Sequence, residues 1–281
     1  MTTAYRLTDR VDACDVQGQP DSRGIEVDRA GVSGLRYPIS VLDRQSDRQH
    51  TVALISMSVA LPHHFKGTHM SRFIEVLNEH RGEMTMHTIP AILRELRGRL
   101  DADQASIDVR FPYFLERKAP ATGVVGLLDY DCAFSASDRR GQTDFVLQVA
   151  TPVTSLCPCS KAISDYGAHN QRGTITIRVR THRPTDFVWI EEVISIAEAS
   201  GSAPVYPLLK RADERFVTMQ AYDNPVFVED MVRNVAVQLQ ADRRIAWFAV
   251  SAVNEESIHN HAAFAEIEWT REEKEWGHPG S

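Results

Sequence analysis

Two stretches of this 281-residue chain carry side chains that could do chemistry. The first is Ser155-Leu156-Cys157-Pro158-Cys159-Ser160-Lys161, followed by His169 in a run dense in polar and turn-forming residues. Lys161 and Arg172 flank its two cysteines, and nearby cations favour thiolate over thiol. A thiolate and an imidazole on one loop are the start of a metal site or of a nucleophile pair. The second stretch is Asn254-Glu255-Glu256-Ser257-Ile258-His259-Asn260-His261, whose two histidines would share a face if the segment were a strand. Between them lies the charged run Lys210-Arg211-Ala212-Asp213-Glu214-Arg215. Cys157, His169, Glu214 and His259 would make a mixed sulfur, nitrogen and oxygen donor set for a first-row divalent metal. No pair among them has the close spacing of a zinc finger, so the set requires the fold to bring distant segments together.

Longer motifs narrow the reading. The stretch Pro152 to Arg172, with Tyr206-Pro207-Leu208-Leu209-Lys210-Arg211, Ala221-Tyr222-Asp223-Asn224-Pro225 and Glu256-Ser257-Ile258-His259-Asn260-His261, resembles the type IB GTP cyclohydrolase I family. Phe65-Lys66-Gly67-Thr68-His69-Met70-Ser71-Arg72-Phe73 resembles the same family, and the likeness runs in order from about Asp43 to Thr270. The chain departs from the family in carrying Ala212 where a proline usually precedes the Asp-Glu pair.

The resemblance implies hydrolysis of GTP to 7,8-dihydroneopterin triphosphate and formate. Guanine C8 is a poor electrophile, so the attacking water must be made hydroxide-like near neutral pH, which a divalent zinc, manganese or iron ion can do. Opening and reclosing the ribose ring needs an acid/base group, and histidine suits that task. By the same resemblance Cys157 is the metal-bound catalytic thiolate, with Cys159 as its competitor. His169 is a metal ligand or the acid/base beside it, Glu214 is a metal ligand, and His259 is the late catalytic histidine and a ligand, with His261 orienting it. Glu229 would hold the guanine edge through two charge-assisted bonds, which adenine cannot offer in return. Lys66, His69, Arg72, Lys161 and Arg172 are the candidates for the triphosphate. Two other classes are weighed beside this one. A deazapurine nitrile reductase of the same fold would use a cysteine and a glutamate with NADPH, and a metal-storage or metal-sensing protein would need no GTP.

Composition sets bounds. Apolar residues make up 43% and charged residues 25%, which is ordinary for a soluble globular protein. A net charge of -7 argues against nucleic acid or a membrane surface as a partner. Four cysteines in a chain of this length are not a disulfide scaffold. No apolar run reaches the ~20 residues that span a bilayer. The first residues lack the apolar core of a signal peptide, so a reducing cytoplasm is expected.

The elements that must position these residues follow from hydrophobic spacing. Strands are expected over 37–42 and 51–61, a helix from about Ser71 that Ser71 itself caps, and a second helix over 88–100 carrying Ile89, Ile92, Leu93, Leu96 and Leu100. Strands over 105–117 and 122–137 complete the first half. The second half repeats the order, with strands over 144–153 and 173–181, helices over 188–199 and 225–240, and strands over 244–254 and 262–270. Asn224 and Pro225 read as the start of the last helix. Two successive ββααββ units with both helices on one face predict an α+β fold, and the resemblance makes it the bimodular tunnelling fold. The expected division is a flexible arm over 1–34, modules over 35–142 and 143–271, and a frayed tail over 272–281. The resemblance further implies homotetramers in which antiparallel sheets join into β-barrels, with active sites at subunit interfaces.

Overall fold

The structure, a computed structural model, describes residues 15–80, 82–183 and 185–272; residues 1–14 of the expected arm and 273–281 of the expected tail lie outside them. The first half runs β1 (Val27–Asp43), β2 (Asp47–Leu61), α1 (Met70–Glu79), α2 (Ile89–Leu100), β3 (Gln104–Lys118) and β4 (Val125–Arg139). The second half runs β5 (Gln142–Leu156), α3 (Pro158–Ile163), β6 (Asn170–Thr181), α4 (Ile190–Ser200), β7 (Ala203–Pro204), α5 (Arg211–Asp223), α6 (Val228–Ala241), β8 (Ile245–Glu255) and β9 (Ala262–Thr270).

The strands form one antiparallel sheet in the order β1-β2-β3-β4-β5-β6-β8-β9, with the two-residue β7 pairing with β5. Pairing of β4 with β5, from Asp131 opposite Ala150 to Arg139 opposite Gln142, welds the two modules into one sheet. Alternate residues point to opposite faces, so one face can be apolar throughout. On β3 that face carries Ala105, Ile107, Val109, Phe111, Tyr113 and Leu115, all buried. The row continues across the junction, because Phe134 lies opposite Leu147 and Leu147 opposite Val179. The helices cover this face. Ile89, Ile92, Leu93 and Leu96 on α2, and Val228, Met231, Val232, Val235 and Leu239 on α6, are buried at helical spacing against it.

Strand register defines two ends of the sheet. Lys118 opposite Val125, Leu156 opposite Asn170 and Glu255 opposite Ala262 place the β3–β4, β5–β6 and β8–β9 connections together at one end. The exit of β2 lies at the other end, since Val59 pairs with Ala105 and Gln104 pairs with Arg139.

The two-module α+β organisation matches the expectation, with four differences. Residues 27–34 of the expected arm form the start of β1, because backbone pairing with β2 overrides their polar, glycine-containing sequence. His69 rather than Ser71 occupies the N-cap of α1, and it makes no side-chain cap bond. Asn224 is the C-cap of α5, not the start of α6; its amide donates to the carbonyls of Gly201 and Ser202, and α6 begins one turn later behind Phe227. Finally, no apolar stripe predicts α3 or α5, since α3 buries no residue and α5 only Asp213 and Ala221.

Candidate active site

Cys157 stands at the N-cap of α3, where Pro158 at the first helical position fixes the turn. Its Sγ lies 3.5 Å from the Ser160 backbone N–H, and the thiol is half-buried while Cys159 is exposed. The Cys157 N–H donates to the His169 carbonyl at 3.1 Å. Ser160 closes the loop from inside, its hydroxyl donating to the Cys157 carbonyl at 3.2 Å and accepting from the His169 N–H at 3.2 Å. Twelve residues apart in sequence, Cys157 and His169 are thus neighbours because β5 and β6 are register partners up to Leu156 and Asn170.

Polar side chains support this loop from below. His169 Nδ1 lies 2.8 Å from Gln171 Oε1 and 3.5 Å from Ser257 Oγ, which ties the imidazole to the β8–β9 turn. Gln171 reaches Ser155 and Glu256, and Asn254 Nδ2 donates to Ser155 Oγ at 3.0 Å. Ser155, Gln171 and Asn254 are all buried. Gly173 makes room for Asn254, since a Cβ there would lie 2.3 Å from Asn254 Oδ1. Sequence reasoning missed this group, because Ser, Gln and Asn carry no distinctive spacing. The one available signal was that Ser155, Gln171 and Gly173 alternate on the inward face of strands whose other inward residues, Thr151 apart, are apolar.

The remaining candidates fall into two sets. His259 and His261 lie in the β8–β9 turn rather than on a strand, exposed, with their rings stacked at 5.1 Å between centroids. Glu229 is exposed in the first turn of α6, and that turn is held to the Cys157 end of β5 by the Val226 N–H, which donates to the Leu156 carbonyl at 3.2 Å. Lys161 is half-buried, its ammonium bonded to the Tyr222 carbonyl and 4.2 Å from the Tyr222 ring centroid. Arg172 is exposed on the sheet face away from the helices. All of these share one end of the sheet. Lys66, His69 and Arg72 follow β2 and therefore lie at the other end. There Lys66 is exposed, His69 Nε2 is 3.4 Å from Asp15, and the Arg72 guanidinium donates to the Arg99 carbonyl at 2.6 Å.

Glu214 is exposed in the first turn of α5, about 12 Å along the helix from Tyr222 at 1.5 Å per residue. Its neighbour Asp213 is fully buried and accepts from the N–H groups of Ala121, Thr122 and Lys210 and from the Thr122 hydroxyl, at 2.7–2.9 Å. Burial opposes the charge on Asp213, but these four bonds outweigh it and hold the carboxyl well below its ordinary range. Asp213 is therefore the residue that fastens α5, and with it Glu214, to the β3–β4 turn.

As a metal site the donors fit in kind: a thiol, and an imidazole whose Nδ1 is hydrogen-bonded so that Nε2 stays open. They do not close into a site within one chain, since among the described residues no three His, Cys, Asp or Glu side chains are gathered to hold an ion.

The chain resembles the crystal structures of uricase from Arthrobacter globiformis (TM-score 0.51, 9% identity, 89% of this chain and 96% of that one) and of a mutant urate oxidase from Bacillus sp. TB-90 (TM-score 0.54, 8% identity, 87% and 100%). At that identity the likeness speaks for the tunnelling fold alone. In sequence it is 53% identical to GTP cyclohydrolase FolE2 of Geotalea uraniireducens over 92% of this chain and 94% of that protein. It is 54% identical to GTP cyclohydrolase FolE2 of Methylococcus capsulatus over 90% and 94%. Residues 14–265 match the family described as type I GTP cyclohydrolase folE2, a span that contains Cys157, His169, Glu214, Glu229 and the β8–β9 turn, and the chain belongs to that family.

Proposed function

We propose that this chain hydrolyses GTP to 7,8-dihydroneopterin triphosphate and formate, the entry step to folate and pterins. The observation that carries the reading is the joining of Cys157 to His169 by a backbone hydrogen bond, with the β8–β9 histidines and the first turn of α6 at the same end of the sheet, in a chain of this family. Cys157, His169, Glu214 and His259 are the residues that would hold a zinc, manganese or iron ion. When bound, such an ion supplies acidity that makes water nucleophilic near neutral pH.

The chain's own groups then divide the work. Glu229, exposed beside the site, accepts from the ring N–H and exocyclic amine of guanine and so excludes adenine. Whichever of His169 and His259 does not hold the ion carries protons during ribose opening and reclosure. Arg172, with Lys161 once freed from Tyr222, supplies charge for the triphosphate. Lys66, His69 and Arg72 lie at the opposite end of their own chain, so they serve the triphosphate in the site of a second copy. A homotetramer with sites between subunits is consistent with this and with the open donor set. The three described cysteines are unpaired, which suits a reducing cytoplasm.

The test is formate release from GTP by chelator-treated protein given Zn²⁺, Mn²⁺ or Fe²⁺ separately, with Cys157→Ala in parallel. Formate and a fluorescent oxidised pterin, both lost in the variant, are the expected result. Folded, oligomeric protein that releases no formate with any of the three would overturn the reading.

A further inference from the structure

Gln171 sits in the middle of a chain of hydrogen bonds whose direction is fixed at one end by a backbone carbonyl. The Val226 carbonyl can only accept, so Ser155 Oγ, 3.1 Å away, commits its single proton there. The Ser155 oxygen is left with lone pairs, and it receives Asn254 Nδ2 at 3.0 Å and Gln171 Nε2 at 3.5 Å. The other hydrogen of the Gln171 amide is directed to Glu256 Oε1 at 3.4 Å, a carboxylate oxygen that accepts. With its nitrogen committed to two acceptors, the amide turns its oxygen to His169 Nδ1, at 2.8 Å.

A carbonyl oxygen accepts, so Nδ1 carries the proton. Ser257 Oγ, 3.5 Å from the same nitrogen, can accept a share of it. A flipped amide would press its oxygen against the Glu256 carboxylate and against a hydroxyl with no proton left to give. Gln171 is 8% exposed, so water does not readily replace these partners.

We propose that Gln171 is a positioning residue that locks His169 in the Nδ1–H tautomer and so presents the bare Nε2 as the ligand or proton acceptor of the site. Only what Nε2 then does rests on the cyclohydrolase reading; the tautomer itself does not. Neutral imidazole in water prefers its proton on Nε2. The lock therefore works against an intrinsic preference, and that makes it measurable.

The experiment uses the full chain with ¹⁵N-labelled imidazoles, treated with chelator, at a pH well above the ordinary histidine value of about 6.5. Two-bond ¹H–¹⁵N correlation spectra report which ring nitrogen is bare, and the spectrum of His169→Gln identifies the signals of His169. The unmodified chain is expected to show a bare Nε2. Gln171→Met, of similar length but without an acceptor, is expected to move most of the population to Nε2–H. Should Gln171→Met fail to fold, Ser155→Ala removes the group that orients the amide and is expected to give a mixture.

A His169 protonated on Nε2 in the unmodified chain, or an unchanged tautomer in folded Gln171→Met, would overturn the proposal. In formate release, Gln171→Met is expected to lose about 10–100-fold in kcat/KM, the usual cost of removing such a supporting partner. Absence of formate from the unmodified chain, alongside a bare Nε2, would support the lock and overturn only the reaction.

Discussion

Tyr113 and Tyr130 lie directly opposite each other in the β3–β4 register, and each sends its hydroxyl up to a different glutamate of α4. Tyr113 donates to Glu191 at 2.7 Å and Tyr130 to Glu198 at 3.0 Å, two helical turns apart. Both tyrosines belong to the first module and both glutamates to the second, so this pair of bonds locks α4 across the seam where β4 meets β5. Arg117 adds an ion pair to Glu198.

Tyr113→Phe is expected to destabilise the fold by about 1–3 kcal/mol, since it strips a partner from a glutamate whose other oxygen is already buried and unpaired. Burial, and then the neighbouring Glu191, raise the Tyr113 hydroxyl far above its ordinary value of 10.0. A proton held more tightly in the folded state stabilises it fully below that ordinary value, and the contribution is lost as pH rises beyond it. Urea titrations between pH 8 and 11 (about two units below the ordinary tyrosine value and one above it) check both points. Tyr113→Phe should show the smaller loss of stability toward the alkaline end.

Removing the thiol at Cys157 is expected to lower formate release by more than about 100-fold, whereas Cys159→Ala should cost less than about 3-fold. Cys157 is held against His169 by the backbone, while Cys159 is exposed on α3. Steady-state rates of the two purified variants, with circular dichroism to confirm folding, decide which cysteine matters.

Asp213→Ala leaves three backbone N–H groups at the β3–β4 turn and the start of α5 without their acceptor. Its Tm should fall by several degrees, and activity should fall further than stability because Glu214 is carried on the same turn. The depressed carboxyl of Asp213 stabilises the fold above its ordinary value of 3.8, and that contribution is lost as pH falls below it. Acid unfolding of the variant should accordingly be less steep than that of the unmodified chain.

Gly173→Ala places a methyl group on Asn254 Oδ1 and is expected to cost about 1–3 kcal/mol, the range for overpacking a filled interior. A crystal structure of the variant should show Asn254 displaced from Ser155. Differential scanning calorimetry gives the cost.

The sequence was legible where one face of an element is apolar. The stripes of α2 and α6 and the alternation along β6 named their own buried residues. Helix α5 has no such stripe. Its buried positions are a carboxylate and an alanine, while Phe216, Met219 and Tyr222 are exposed. Within the run from Lys210 to Arg215 nothing marks Asp213 as the buried acid and Glu214 as the exposed one; only the β3–β4 turn, some 90 residues earlier, makes that distinction. The candidate Cys and His side chains drew notice because thiols and imidazoles are reactive, and the family resemblance singled out Cys157, His169 and His259 among them. Their supports did not, because Ser155, Gln171 and Asn254 acquire a role only when β5, β6 and β8 are laid side by side.

The placement of Lys66, His69 and Arg72 across the sheet from Cys157 bears on what an inactive variant can tell an experimenter. If these residues serve the site of a second copy, damage at one end of a chain leaves its other end fit to serve a neighbour. Cys157→Ala and Arg72→Ala, each inactive as a pure population, should recover part of the lost activity when coexpressed, because some of the mixed assemblies contain a site drawn from two intact ends. Specific activity should also fall on dilution below the concentration at which the assembly comes apart. Catalysis would then belong to the seam between chains, and a gene dose of two different lesions could be milder than a double dose of either.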